Sequence, residues 1–304
     1  MTVMSVTGPI ELDDRGTILP HEHLVIDYRQ KVGSSPPIST AVEDECVAVL
    51  ADARAAGVQA IVDCTPPGYG RDVAFLRSVS LRSGMPIIAS TGTFCEQWSP
   101  QPAWVRDASV EEVAEGFAAE LGRSCGVIKV ATSGAPTPGD LDGLRAAALA
   151  HLQTGAPIVS HTTGGFGSEQ LDLFEEAGVE LGKVLVSHVC ADDEPVDYAI
   201  AIARRGAYVG FDRIGHAAHP DAHWFSLIRR LIDEGLADRV LLSHDSVQRF
   251  TGPDAIAGHT FSNLRHLTTT FTQLAIANGI AAQELHRMIV SNPLAWLAPN
   301  RVAQ

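Results

Sequence analysis

Residues 157–188 read PIVSHTTGGFGSEQLDLFEEAGVELGKVLVSH, and the architecture is legible in this one segment. It opens with a short β-branched run, 157–160, and closes with another, 183–187. Between them, 169–177 carries helical spacing and stops at Gly178, the place after a helix C-terminus where a left-handed backbone favours glycine. Strand, helix and strand within about thirty residues make the βαβ unit of a parallel sheet. Each of the two strands ends in a histidine, His161 and His188.

The unit recurs. Strand-like runs fall at 17–19, 59–62, 86–89, 127–130, 157–160, 183–187, 207–211 and 239–243, with helical spacing at 41–56, 110–121, 141–153, 169–177, 195–205 and 225–234. Gly57, Gly155, Gly206 and Gly235 repeat the role of Gly178. Eight such units predict an α/β fold, a (β/α)8 TIM barrel formed by a single domain over 1–304. A doubly wound sheet is the alternative, but the sequence lacks its phosphate-binding glycine fingerprint. Residues 263–297 read as two closing helices, and the Pro/Gly/Ser patches at 32–37, 133–139 and 162–168 as loops.

The chain has 304 residues, 45% hydrophobic and 19% charged, which suits one large α/β domain. A net charge of −14 without a basic cluster argues against nucleic acid and membrane surfaces as partners and leaves a small-molecule substrate. The opening MTVMSVTGPIELDD lacks the basic and apolar regions of a signal peptide, and no apolar run reaches the ~20 residues of a membrane helix. The cysteines, Cys46, Cys64, Cys95, Cys125 and Cys190, are scattered without a C-x-x-C pair, so a cytoplasmic, reducing setting is expected.

Active sites of such barrels gather at the C-terminal ends of the strands. The first strand runs into LPHEHL, 19–24, where alternation sends His21 and His23 to one side and Glu22 to the other. The fifth, sixth and eighth strands lead to His161, His188 and Asp245, and Lys129 lies inside the apolar fourth strand, GVIKVATS. Taken singly, each reads as a hydrogen-bonded structural group or a lysine with its amine turned outward. Together they form a ligand set suited to Zn²⁺ or a similar divalent ion, a metal site at the C-terminal strand ends. An ammonium beside two dications would be repelled, so an inward Lys129 has to be neutral or converted by CO₂ into a bridging carboxylate.

GTILPHEHL (16–24), GVIKVAT (126–132), SHTTGG (160–165), VSHV (186–189) and LLSHD (241–245) resemble, in order and almost end to end, the motifs of the phosphotriesterase-like branch of the amidohydrolase superfamily. The resemblance implies a binuclear centre in which His21, His23 and Asp245 hold the more buried ion, His161 and His188 the more exposed one, and carboxylated Lys129 bridges both. It implies two divalent ions, zinc first, with Mn²⁺, Co²⁺ or Fe²⁺ as alternatives. A metal-held hydroxide would attack a lactone or carboxylic ester, with promiscuous organophosphate triesterase activity, and Asp245 would take the proton as general base. A homodimer is also implied. Glu22 and His244 alternate with the ligands and are expected to face away from the metals.

FDRIGH, 211–216, resembles the segment where lactonase-like members place an aspartate-arginine pair in the pocket; Asp212 and Arg213 either line the pocket or form a plain ion pair. Phe94 stands where those lactonases carry a tyrosine aimed at the substrate, and phenylalanine cannot supply that hydrogen bond. An amidohydrolase of an N-acylated small molecule is therefore the second reading, and a noncatalytic ligand-binding barrel the third. Phe94, Trp98, Arg213 and His216 are the candidate substrate-binding residues, with Trp104 as a further wall. The histidine-rich HAAHPDAH, 216–223, reads as a pocket rim or a third metal site, and 246–260 as a cover.

Overall fold

Strand alternation and helix caps in the sequence translate into a closed barrel, seen in a computed structural model that describes residues 1–28, 37–192, 194–252 and 263–298. A short hairpin, β1 (Thr2–Ser5) and β2 (Gly8–Glu11), precedes it and was not expected from the strand spacing. The barrel strands are β3 (Thr17–Asp27), β4 (Val58–Asp63), β5 (Ile87–Gly92), β6 (Cys125–Ser133), β7 (Ile158–Thr163), β8 (Val184–Ser187), β9 (Tyr208–Phe211) and β10 (Val240–Leu242). Neighbours pair in parallel, in chain order.

Closure comes from the last strand, which is broken in two. Beyond β10 the chain turns at Asp245 and resumes as β11 (Val247–Thr251), parallel to β3. Across the break the His21 N–H donates to Ser243 Oγ at 3.1 Å, and the Asp245 N–H donates to the His21 carbonyl at 3.1 Å. The candidate cover at 246–260 thus begins as a barrel strand; its part from 253 onward lies outside the described residues, as does most of the patch at 32–37.

The helices α1 (Thr40–Ala55), α2 (Val73–Ser83), α3 (Ala103–Arg106), α4 (Val110–Leu121), α5 (Pro138–Thr154), α6 (Gly167–Glu176), α7 (Val196–Arg204) and α8 (Asp221–Asp233) follow the strands. Of these, α2 and the short α3 were missing from the helical spacing. Local chemistry sets their ends. Ser109 and Glu112 form a reciprocal capping box on α4, and Thr137 and Asp140 do so on α5, where Pro138 occupies the first turn without sacrificing a hydrogen bond. Gly155, with φ +71°, terminates α5 in the left-handed conformation as expected. The tail forms two helical stretches: Leu267–Phe271 leads into α9 (Thr272–Ala277), and α10 (Ala282–His286) continues through Arg287–Ser291 into α11 (Asn292–Leu297).

Strand alternation sorts the core into two shells. Ile61, Ile87, Ile128, Ile158, Val184 and Val240 point outward into the helix layer, while Val62, Ile88, Val127, Val159, Leu185 and Leu241 fill the barrel floor beneath the site. On β6 the inward parity of Val127 carries two residues on to Lys129, which is fully buried. The five cysteines are buried and none is in a disulfide. Among the described residues no helix is long and apolar enough to cross a membrane.

Candidate metal centre

The barrel floor ends in a layer of polar side chains. His21 and His23 leave β3 toward the axis, Lys129 leaves β6, His161 leaves β7, His188 follows directly on β8, and Asp245 lies three residues past the end of β10. Lys129 Nζ lies 2.9 Å from His21 Nε2, His161 Nδ1 lies 2.8 Å from His188 Nε2, and Asp245 Oδ1 lies 3.6 Å from His21 Nε2 and 3.5 Å from His23 Nε2. Ligand atoms of His21, His188 and Asp245 all fall within 4.8 Å of one another. The structure thus brings together all six residues expected as ligands.

Two of them reach this place by unusual backbone. His188 has φ +61° and Asp245 φ +51°, left-handed values that side-chain-bearing residues rarely adopt. Strain of this kind concentrates where geometry is functional. On β3 the parity itself changes: Leu19 faces the helix layer, yet His21 faces the axis, and the pairing of β3 with β4 shifts register between Leu19 and Glu22. Glu22 and His244 do face away, as expected. Glu22 lies 2.9 Å from His244 Nδ1 and accepts from Ser243 Oγ and the Ser246 N–H, tying the first and last strands together behind the centre.

The remaining ring nitrogens are held from behind. Asp212 Oδ2 meets His21 Nδ1 at 2.7 Å, its Oδ1 meets His188 Nδ1 at 2.9 Å, and Thr65 Oγ1 meets His23 Nδ1 at 2.8 Å. Fixing the Nδ1 proton on each ring leaves the Nε2 lone pair for a cation. The Asp212-Arg213 pair divides: Arg213 lines the cavity, as one reading expected, and Asp212 does not. Asp212 is buried beneath the histidines, whereas Arg213 reaches Asp245 at 3.5 Å and Asp192 at 3.4 Å. Thr65 had gone unnoticed, although it follows β4 at the C-terminal end, where the same positional logic applies.

Charge follows from burial. Burial pushes the Lys129 ammonium below its ordinary range, which favours the neutral amine that reacts with CO₂. Burial also pushes His23 and His161 well below their ordinary value, so both are neutral, as ligands must be. Burial alone would raise the Asp245 carboxyl, but its neighbours, His188 and His21 foremost and the Arg213 guanidinium with them, outweigh it and hold it at about 2. One lysine, four histidines with available lone pairs and an ionised carboxylate fit a divalent cation centre.

A cavity of about 340 Å³ opens over the centre, reaching His23, His161, His188 and Asp245. Of the candidate substrate residues, Phe94, Trp98, Arg213 and His216 all line it. Trp98 donates to Ser133 Oγ at 3.2 Å. Trp104 does not line it; its ring packs edge-on to Phe117 instead, 6.1 Å between centroids. The histidine-rich loop forms a rim: the Nε2 atoms of His216, His219 and His223 face three separate carbonyls, of His244, Ala191 and Cys190, so they do not converge as a third metal site would require.

Comparison with known proteins agrees with this geometry. The model of the phosphotriesterase family matches residues 1–297. A phosphotriesterase homology protein of Mycobacterium tuberculosis is 31% identical over 310 residues, covering 94% of each chain. An aryldialkylphosphatase of Saccharolobus solfataricus is 31% identical over 251 residues, 78% of each. A solved structure described as organophosphate hydrolysis engineered from a weak promiscuous lactonase template superposes with a TM-score of 0.86 at 32% identity, covering 98% of this chain and 100% of that one.

Proposed function

The chain belongs to the phosphotriesterase family of metal-dependent hydrolases, and from that premise we propose that it hydrolyses a lactone or carboxylic ester, with organophosphate triesters as side substrates. The observation that carries this reading is the cavity, whose walls of Ile26, Phe94, Val247 and Phe250 favour a neutral, largely apolar molecule over the Asp245 carboxylate. The similarity to a lactonase template supports it.

His21, His23, His161, His188, Asp245 and Lys129, the last as its CO₂ adduct, would hold two divalent ions, zinc first. Bound there, the ions would supply an activated water and polarise the oxygen under attack. The side chains do the rest. Asp245, ionised and facing the cavity, is placed to take the proton of the attacking water. Arg213, 3.5 Å from Asp245, orients that carboxylate and presents a cation at the cavity wall. Phe94 closes one side against bulk water and provides no hydrogen bond. That missing hydroxyl favours the second reading, hydrolysis of an N-acyl amide.

The deciding experiment measures kcat/KM of zinc-loaded protein on an aliphatic lactone, an aryl phosphotriester and an N-acyl amide, with Asp245→Asn as control. A lactone preference lost in Asp245→Asn is the expected result. An amide preference would transfer the same machinery to the second reading, and inertness on all three would end the proposal.

A further inference from the structure

The cavity wall holds a pair of hydroxyls that the catalytic reading leaves unused. Tyr28, just past β3, and Tyr69, in the loop after β4, are 3% and 7% exposed, and their hydroxyl oxygens lie 3.0 Å apart. The Tyr69 ring stacks on Phe94 with centroids 3.9 Å apart at 15° and meets the His23 ring edge-on at 6.4 Å. The Tyr28 ring stacks over Phe250 at 6.3 Å and 6°. Both rings are therefore clamped by aromatic neighbours, and both residues line the cavity together with Asp245.

A phenol carries one proton to donate and can accept in addition. Either hydroxyl can donate in this contact; in the arrangement where Tyr28 donates, the Tyr69 proton is left for a partner inside the cavity, and Tyr28 is the one hydrogen-bond partner of the Tyr69 hydroxyl among the described residues. Burial pushes the Tyr69 phenol above its ordinary range, so it stays a neutral donor. Four of the residues that line the cavity with the two tyrosines, Ile26, Phe94, Val247 and Phe250, carry no acceptor side chain.

We propose that Tyr69 donates a hydrogen bond to an oxygen of the bound substrate and that Tyr28 is the positioning residue that aims it. The proposal rests on the hydrolase reading and sharpens its specificity: an acceptor oxygen on the substrate is rewarded beside the apolar side of the wall formed by Ile26, Phe94, Val247 and Phe250.

The test is steady-state kinetics of metal-loaded wild type, Tyr69→Phe, Tyr28→Phe and the double variant, on the panel substrate that wild type turns over best. Tyr69→Phe is expected to raise KM about 3- to 10-fold with kcat little changed, since one neutral hydrogen bond made in ground and transition state alike is lost. Tyr28→Phe should raise KM less, and most of its effect should vanish in the Tyr69→Phe background, because it acts on the substrate through Tyr69. An unchanged KM in Tyr69→Phe, or full additivity in the double variant, overturns the proposal. A crystal structure of wild type with an unreactive lactam analogue tests it independently of variant folding: Tyr69 Oη within about 3.2 Å of a ligand oxygen supports it, and a separation beyond about 4 Å overturns it. Wild type inert on the whole panel would remove the hydrolase reading, and the lactam complex would still decide Tyr69.

Discussion

Asp212 Oδ2 lies 2.7 Å from His21 Nδ1, and this contact joins the end of the seventh barrel strand to the first beneath the metal centre. Its other oxygen meets His188 Nδ1 and accepts the His188 backbone N–H, both at 2.9 Å. Burial works against the charge on this carboxylate, yet His188 and His21 keep its carboxyl well below the ordinary range. One aspartate thereby contacts the Nδ1 atoms of two expected ligands from different strands.

Asp212→Asn tests this directly. An amide has one acceptor oxygen where the carboxylate has two, so one of the two imidazoles loses its partner or turns its proton toward the centre. We expect metal affinity to fall about 10- to 100-fold, in the range seen when such supporting partners are removed. Chelator competition measures it, and wild-type affinity would show that Asp212 merely fills space.

Lys129→Met separates stability from function. Lys129 is fully buried, with His21 as its close partner, and in metal-free protein the ammonium is costly. Replacing it with an apolar chain of similar length should leave metal-free protein as stable or about 1–3 kcal/mol more stable. Metal content should drop below two ions per chain, with activity lost. Urea unfolding of chelated protein and metal analysis give the two readings, and a variant that retains both ions and full activity would exclude the bridging role.

Acidification should expose the two neutral histidines. His23 and His161 have folded-state values well below the ordinary imidazole value, so the unfolded chain binds more protons as pH falls through about 6.5. Their contribution to stability is complete above that pH and is lost as pH drops toward the folded values. The urea midpoint of metal-free protein should therefore decline from pH 7 to pH 5. His161→Gln should flatten part of that decline; an unchanged slope would mean that His161 is not held neutral.

Gly92→Ala probes the approach of β5 to β6. Gly92 has φ +112°, and an added Cβ would lie 1.9 Å from the Lys129 carbonyl oxygen. Backbone cannot yield as a flexible side chain would, so strain and overlap together should cost at least about 3 kcal/mol. A urea midpoint near wild type would contradict the close approach.

Much of this was legible in the sequence because barrel and strand geometry are local rules. Period-two alternation carried Lys129 inward after Val127, and His161 inward after Val159. Gly57, Gly155, Gly178, Gly206 and Gly235 all have positive φ, because a helix that stops before the next strand must reverse at a residue without Cβ strain. The helix α2 escaped notice because its apolar residues give weak contrast between faces, with buried Ser80 and Ser83 among them.

Local pattern settled that eight strand-helix units would close on one axis with histidines, a lysine and an aspartate at one end. It could not settle relations made across the barrel. The register shift on β3 that turns His21 inward, the left-handed turns at His188 and Asp245, the division of Asp212 between two imidazoles and the meeting of Tyr28 with Tyr69 all join residues distant in the chain. Their energies arise only after closure, when burial removes water and each polar group must find its partner in the folded protein.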